Sequence, residues 1–134
     1  MTNPKSFLLY LFVSIFMGCA NDDNSLSNPT NEDLLISGKW YQESNSGSTL
    51  SDCEKMTSFD FNSENELEVE IFDDSSGPCQ SIGTLDGTYS LTNDVNLSVI
   101  VPALAFSGTI QSISENRLVI NSSGEIIEFD RTAG

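Results

Sequence analysis

Histidine is absent from this 134-residue chain. Without it neither a Ser-His-Asp nor a Cys-His constellation can be assembled, and metal-activated hydrolysis would have to rely on carboxylates alone. Cationic side chains are scarce as well: five Lys and Arg stand against twenty Asp and Glu, a net charge of −15 at pH 7. A surface of that sign repels nucleic acid and anionic bilayers, so neither is a partner through charge. Nor is there an apolar run approaching the roughly 20 residues that a membrane-spanning helix needs; the longest covers residues 7–17. No helix of useful length is expected anywhere in the folded part.

What the N-terminus does contain reads as an export signal. Lys5 precedes the apolar run, and small Gly18 precedes Cys19, giving the charged region, apolar region and cleavage site of a signal peptide over residues 1–18. The residues Phe16-Met17-Gly18-Cys19 resemble the lipobox of bacterial lipoproteins, with Phe where Leu is usual. The resemblance implies that the Cys19 sulfur takes a diacylglycerol, palmitate being a typical acyl chain, and becomes the mature N-terminus, so that the partner of this end is a membrane. The following Asn21-Asp22-Asp23-Asn24 is similar to acidic export signals that place lipoproteins on the outer face of some Gram-negative cells. That implies an outer-membrane lipoprotein of the cell envelope, exposed at the surface; a plain solvated tether is the other reading. With Cys19, the Asn-, Ser-, Asp- and Pro-rich stretch completes a disordered acidic linker over residues 19–33.

Three cysteines in an exported chain leave one unpaired unless it has another task, and lipidation gives Cys19 that task. Cys53 and Cys79 then face an oxidising compartment, where closing the loop between them stabilises a small domain by about 3 kcal/mol. Zinc is the competing use, but two sulfurs and no histidine make a poor shell.

Residues 34–134 suffice for one domain with a single modest core. Once the signal is removed, four Lys and Arg remain against twenty carboxylates, a net −16, which also keeps a tethered protein soluble. Hydrophobicity alternates with period two in short runs at residues 36–43, 55–61, 66–72, 80–85, 88–91, 96–101, 107–113, 117–121 and 125–131. Clusters of Gly, Asn, Asp and Ser separate the runs. Leu67, Val69 and Ile71 share one face, and Glu66, Glu68 and Glu70 share the other. The same parity groups Phe59 with Phe61, Tyr89 with Leu91, Leu97 with Val99 and Val101, Leu118 with Ile120, and Ile127 with Phe129. An antiparallel meander with one apolar face must close or fold into a sandwich, and closure removes exposed edges. The expectation is therefore an all-β fold: a small antiparallel up-and-down β-barrel of about eight strands after a signal peptide and linker.

On these residues the chain resembles lipocalins. "SGKWYQ" at residues 37–42 carries the Gly-x-Trp of their first strand, and "EFDRT" at residues 128–132 ends the last run with an Arg. The resemblance implies a closed end where Trp40, preceded by Gly38, packs under Arg131. More closely, the lipobox, the linker, "LLISGKW", "DCEKMTSFDF", "GTYSL" and "SISENRLVI" together resemble short lipocalin-like lipoproteins of Gram-negative bacteria. The chain is shorter than a full lipocalin, which argues against a deep calyx.

Such barrels hold small apolar or amphipathic molecules inside a cup. Phe59, Phe61, Tyr89, Val101, Leu104, Phe106 and Phe129 are the candidate cup residues, with the apolar "VIVPALAF" at residues 99–106 as its lip. The carboxylates Glu66, Glu68, Glu70, Asp73 and Asp74 could in principle hold calcium, but same-face strand neighbours diverge, so they read as a solvated face. No paired carboxylates mark a glycosidase, no cofactor or metal is implied, and the chain reads as non-enzymatic. Two functions follow: a lipid-anchored binding module for a small apolar ligand, or an interaction lipoprotein with a side-chain-filled barrel. In the second, Tyr41, Phe72, Ile100 and Ile126 would lie outside and dock another envelope protein, whose identity the residues do not specify.

Overall fold

The computed structural model describes residues 27–134; the signal peptide, Cys19 and the acidic tract lie outside the described residues. A short helix α1 (Asn31–Leu35) is followed by strands β1 (Trp40–Asn45), β2 (Ser48–Thr49), β3 (Ser58–Phe61), β4 (Glu66–Asp73) and β5 (Gln80–Thr92). Then come β6 (Asn96–Val101), β7 (Leu104–Ile113), β8 (Arg117–Ser122) and β9 (Glu125–Asp130). Each strand from β3 to β9 pairs antiparallel with the next, β1 pairs with β3, and β1 also pairs with β9. That last ladder closes an eight-stranded barrel; two-residue β2 is only a flap hydrogen-bonded to β1.

Alternation decides what the barrel encloses. Phe59, Phe61, Leu67, Val69, Tyr89, Leu97, Val99, Leu118, Ile120 and Phe129 are all buried, while Glu66 and Glu68 on the opposite parity are exposed. Three bulges interrupt the alternation, at Gln42/Ser44 in β1, Ile71/Phe72 against β5, and Ile110/Ser112 in β7. Each bends its strand and re-aims the side chains beyond it.

Three expectations about the elements need correction. Residues 30–33, read as the end of a disordered linker, are ordered: Thr30 and Asp33 form a reciprocal capping box at the start of α1. Asn31 also donates to the Asp94 carbonyl at 2.6 Å, pinning the helix to the β5–β6 turn. Residues 36–39, read as strand, instead carry the chain from α1 into β1. The two runs at 80–85 and 88–91 are one strand, β5, because Asp86-Gly87 is not a turn. A Cβ on Gly87 would lie 2.1 Å from Val101 Cγ1 and 2.4 Å from the Ile100 carbonyl oxygen, so glycine lets β5 and β6 coil tightly inward there.

Leu104, Ala105 and Phe106, where the lip would continue past Pro102 as a loop, instead begin β7. Val101 pairs with Leu104, and Pro102 and Ala103 make a two-residue turn with Ala103 at φ +65°. Cys53 and Cys79 are joined by a disulfide, with Cα atoms 5.4 Å apart, tying the segment before β3 to the β4–β5 turn.

Candidate functional site

The barrel has two unlike ends. At one, α1 and the β3–β4, β5–β6 and β7–β8 turns close over the core. Leu35 and Trp40 are fully buried, and Trp40 Nε1 donates to the Leu35 carbonyl at 2.9 Å. Arg131, just past β9, lays its guanidinium 3.4 Å from the centroid of the Trp40 ring. Its Nη1 donates to the carbonyls of Gly38 and Lys39, its Nη2 to the Leu34 carbonyl and the Ser37 hydroxyl, and its Nε to the Glu115 carbonyl. All five donors of the fork are thus satisfied. Burial pulls the Arg131 pKa down from its ordinary value, opposed in part by the nearby Asp60 carboxylate. The group stays cationic, and a cation over an indole face is attracted by the ring quadrupole.

Phe61 and Tyr89 belong to this closed end. Their rings meet edge to face at 5.0 Å, and the Tyr89 hydroxyl donates to the Asn62 carbonyl at 2.6 Å, in the β3–β4 turn. Burial, with a smaller contribution from Glu32 on α1, raises the Tyr89 pKa above the usual phenol value. Val101 is buried beside Gly87. These three of the seven candidate cup residues fill the barrel instead of lining a cup.

The other four meet at the opposite end. Phe59 and Phe129 stack edge to face at 5.2 Å and form the floor of a cleft of about 280 Å³, whose wall includes Leu104, Phe106 and Ile127. A neighbouring cleft of about 330 Å³ is bounded by Leu50, Val69, Ile71, Phe72 and Ile82. The two share Gln42, Phe59 and Leu104, so together they form one shallow, divided mouth. Phe72, expected outside the barrel, lines this rim beside the bulge, which leaves Ile82 of β5 without a partner on β4 and 59% exposed. Gln42 was not singled out from the sequence, although its parity with Trp40 points it inward.

A larger depression, about 540 Å³, lies on the outer wall among Asp60, Glu66, Glu68, Asp86 and Thr88. Most of its lining residues are polar, with Leu67 and Gly87 between them, and among the described residues no three potential metal ligands converge. Size alone therefore does not make it the site; apolar lining with a few placed polar groups does, and the mouth has that. Ile100 is 62% exposed on the outer face.

The fold has solved relatives. A lipocalin-like protein from Bacteroides uniformis superposes with a TM-score of 0.57 at 14% identity, covering 73% of this chain and 99% of its own. An uncharacterized protein from Bacteroides eggerthii gives a TM-score of 0.55 at 10% identity, covering 72% of this chain and 99% of its own. At these identities the likeness is one of fold. No curated protein matches the chain. The family model described as a lipocalin-like domain matches residues 36–120, and the chain belongs to the lipocalin-like domain family.

Proposed function

We propose that this chain is a non-enzymatic, lipid-anchored envelope protein whose barrel mouth binds a small apolar or amphipathic molecule. The observation that carries the reading is the pair of clefts sharing Gln42, Phe59 and Leu104, where aromatic and aliphatic side chains remain in reach of solvent although the barrel below is filled. Their volumes lie near the lower end for small-molecule sites, so the ligand is small or enters by one end only. Membership in the lipocalin-like family supports a binding role. Anchoring rests on the lipobox-like Phe16-Met17-Gly18-Cys19, and placement on the outer membrane, facing outward, rests on Asn21-Asp22-Asp23-Asn24.

A second reading has its own observation. Phe61, Tyr89, Leu97, Val99, Leu118 and Ile120 fill the barrel, and Ile100 stands exposed on the wall, as in an interaction protein that docks another envelope component. Recording the mass of the mature chain, residues 19–134 with Cys19→Ser, under native and then denaturing conditions separates the two. Extra mass lost on denaturation supports the occupied mouth. A bare native mass, together with failure of added apolar probes to bind, overturns it in favour of the docking protein. Anchoring is tested independently by metabolic labelling with palmitate: label is expected on the natural chain and absent from Cys19→Ser.

A further inference from the structure

The electrostatics of the mouth narrow the class of ligand. Glu54 and Asp73 stand at the edge of the larger cleft and Glu125 at the edge of the smaller one. No lysine or arginine lines either cleft. The cations of the described residues are engaged elsewhere: Lys39 with Glu68, Lys55 with Glu43, Arg117 with Glu128, and Arg131 over Trp40 at the closed end. The rim carboxylates meet only neutral donors. Glu54 accepts from the Ser51 N–H at 2.8 Å, and Asp73 accepts from the Ser75 hydroxyl. Three negative charges without a counter-charge thus surround an apolar floor of Phe59, Phe129, Ile71 and Leu104.

Resting on the ligand-binding reading of the mouth, we infer that the site selects cationic amphiphiles, an apolar body bearing an amine or quaternary ammonium group, over fatty-acid anions. A carboxylate headgroup entering this mouth would lose water, find no cationic partner, and face like charges across an apolar surface. An ammonium headgroup at the same depth is attracted by all three carboxylates, and the low-dielectric walls strengthen that attraction. The apolar tail contributes equally in both cases, so the headgroup sign decides the preference.

Three probes with one tail make the test: decyltrimethylammonium, decanol and decanoate, each kept below its micellar concentration and titrated calorimetrically into the mature chain carrying Cys19→Ser. The expected order of affinity is cation, then alcohol, then anion, with cation and anion separated by about tenfold or more. In a triple variant Glu54→Gln, Asp73→Asn and Glu125→Gln the separation should shrink several-fold. In Asp60→Asn with Asp86→Asn, on the outer wall, it should persist, which distinguishes the rim from the overall negative charge. Equal binding of all three probes, or tighter binding of decanoate, overturns the charge selection while leaving the binding mouth intact. So does a preference that survives the rim variant and disappears in the outer-wall variant. Failure of decanol and both ions to bind overturns the mouth itself.

Discussion

The guanidinium of Arg131 covers the indole of Trp40 at 3.4 Å while bridging the segment that leads into β1 to the β7–β8 turn. One side chain from the end of the barrel thereby seals the closed end and joins the first and last strands. Arg131→Ala leaves the carbonyls of Leu34, Gly38 and Lys39 short of donors and uncovers the ring, and should cost about 3 kcal/mol. Arg131→Lys should recover less than half of that, because an ammonium presents no planar five-donor fork. Urea unfolding followed by Trp40 fluorescence measures both, and equal stability of the Lys variant and the natural chain would refute the argument.

The disulfide closes a loop with a sequence separation of 26. On the chain-entropy argument it contributes about 3.5 kcal/mol, so the paired substitution Cys53→Ala and Cys79→Ala should lower the urea midpoint accordingly. Mass spectrometry of the denatured natural chain should also find it lighter by two hydrogens than after reduction.

Glycines facing inward make a sharper test of packing. A Cβ at Gly87 meets Val101 and the Ile100 carbonyl, and one at Gly108 falls 2.6 Å from Ile120 Cγ2 and 2.7 Å from the Asn121 carbonyl oxygen. Since backbone oxygens cannot step aside, Gly87→Ala and Gly108→Ala should each cost about 3 kcal/mol or more. Gly47→Ala, at φ +74° with open space around it, should cost only about 1 kcal/mol of backbone strain.

These glycines also mark where sequence reading reached its limit. Period-two alternation from Glu66 to Ile71 was enough to assign an inner and an outer face, because a strand buried on one side leaves that imprint on every second residue. The pairing of Trp40 with Arg131 was legible through family resemblance. The continuity of β5 was not, because the alternation breaks at Asp86-Gly87; a glycine there reads as a bend, and the approach of Val101 shows why the strand runs through it. Parity places Phe72 outside although it lines the mouth, and Gln42, although it shares the parity of Trp40, is polar and so carries no core signal. The capping box at Thr30 and Asp33 was present in the residues, but its polar surroundings read as linker. Parity distinguishes inside from outside but not one end of a barrel from the other. That is why Phe61 and Tyr89 were grouped with Phe59.

Tyr89 makes stability depend on alkaline pH. Its folded-state pKa lies above the ordinary phenol value of 10.0, chiefly because burial disfavours the phenolate. The unfolded chain therefore loses this proton first as pH rises, and the stability linked to Tyr89 is fully present below about pH 10 and lost as pH climbs toward the folded value. Tyr89→Phe should start from lower stability, having given up the bond to Asn62, and should lack this alkaline component. Urea midpoints measured across that range compare the two slopes; parallel slopes would refute the assignment.

Leu104 and Phe59 share both clefts but differ in burial, and the difference separates binding from folding. Phe59 is 4% exposed and packs on Phe129, so Phe59→Ala should cost about 3 to 5 kcal/mol of stability as well as any affinity. Leu104 is 36% exposed at the start of β7, beside the Pro102-Ala103 turn, so a polar replacement removes little buried area. Leu104→Ser should change stability by less than about 1 kcal/mol. Yet it removes apolar wall common to both clefts, and the affinity for decanol should fall about fivefold. A variant that keeps its urea midpoint and loses decanol assigns Leu104 to the ligand. One that loses neither returns the mouth to the filled-barrel reading, with Ile100→Asp as the next substitution to test for loss of a protein partner.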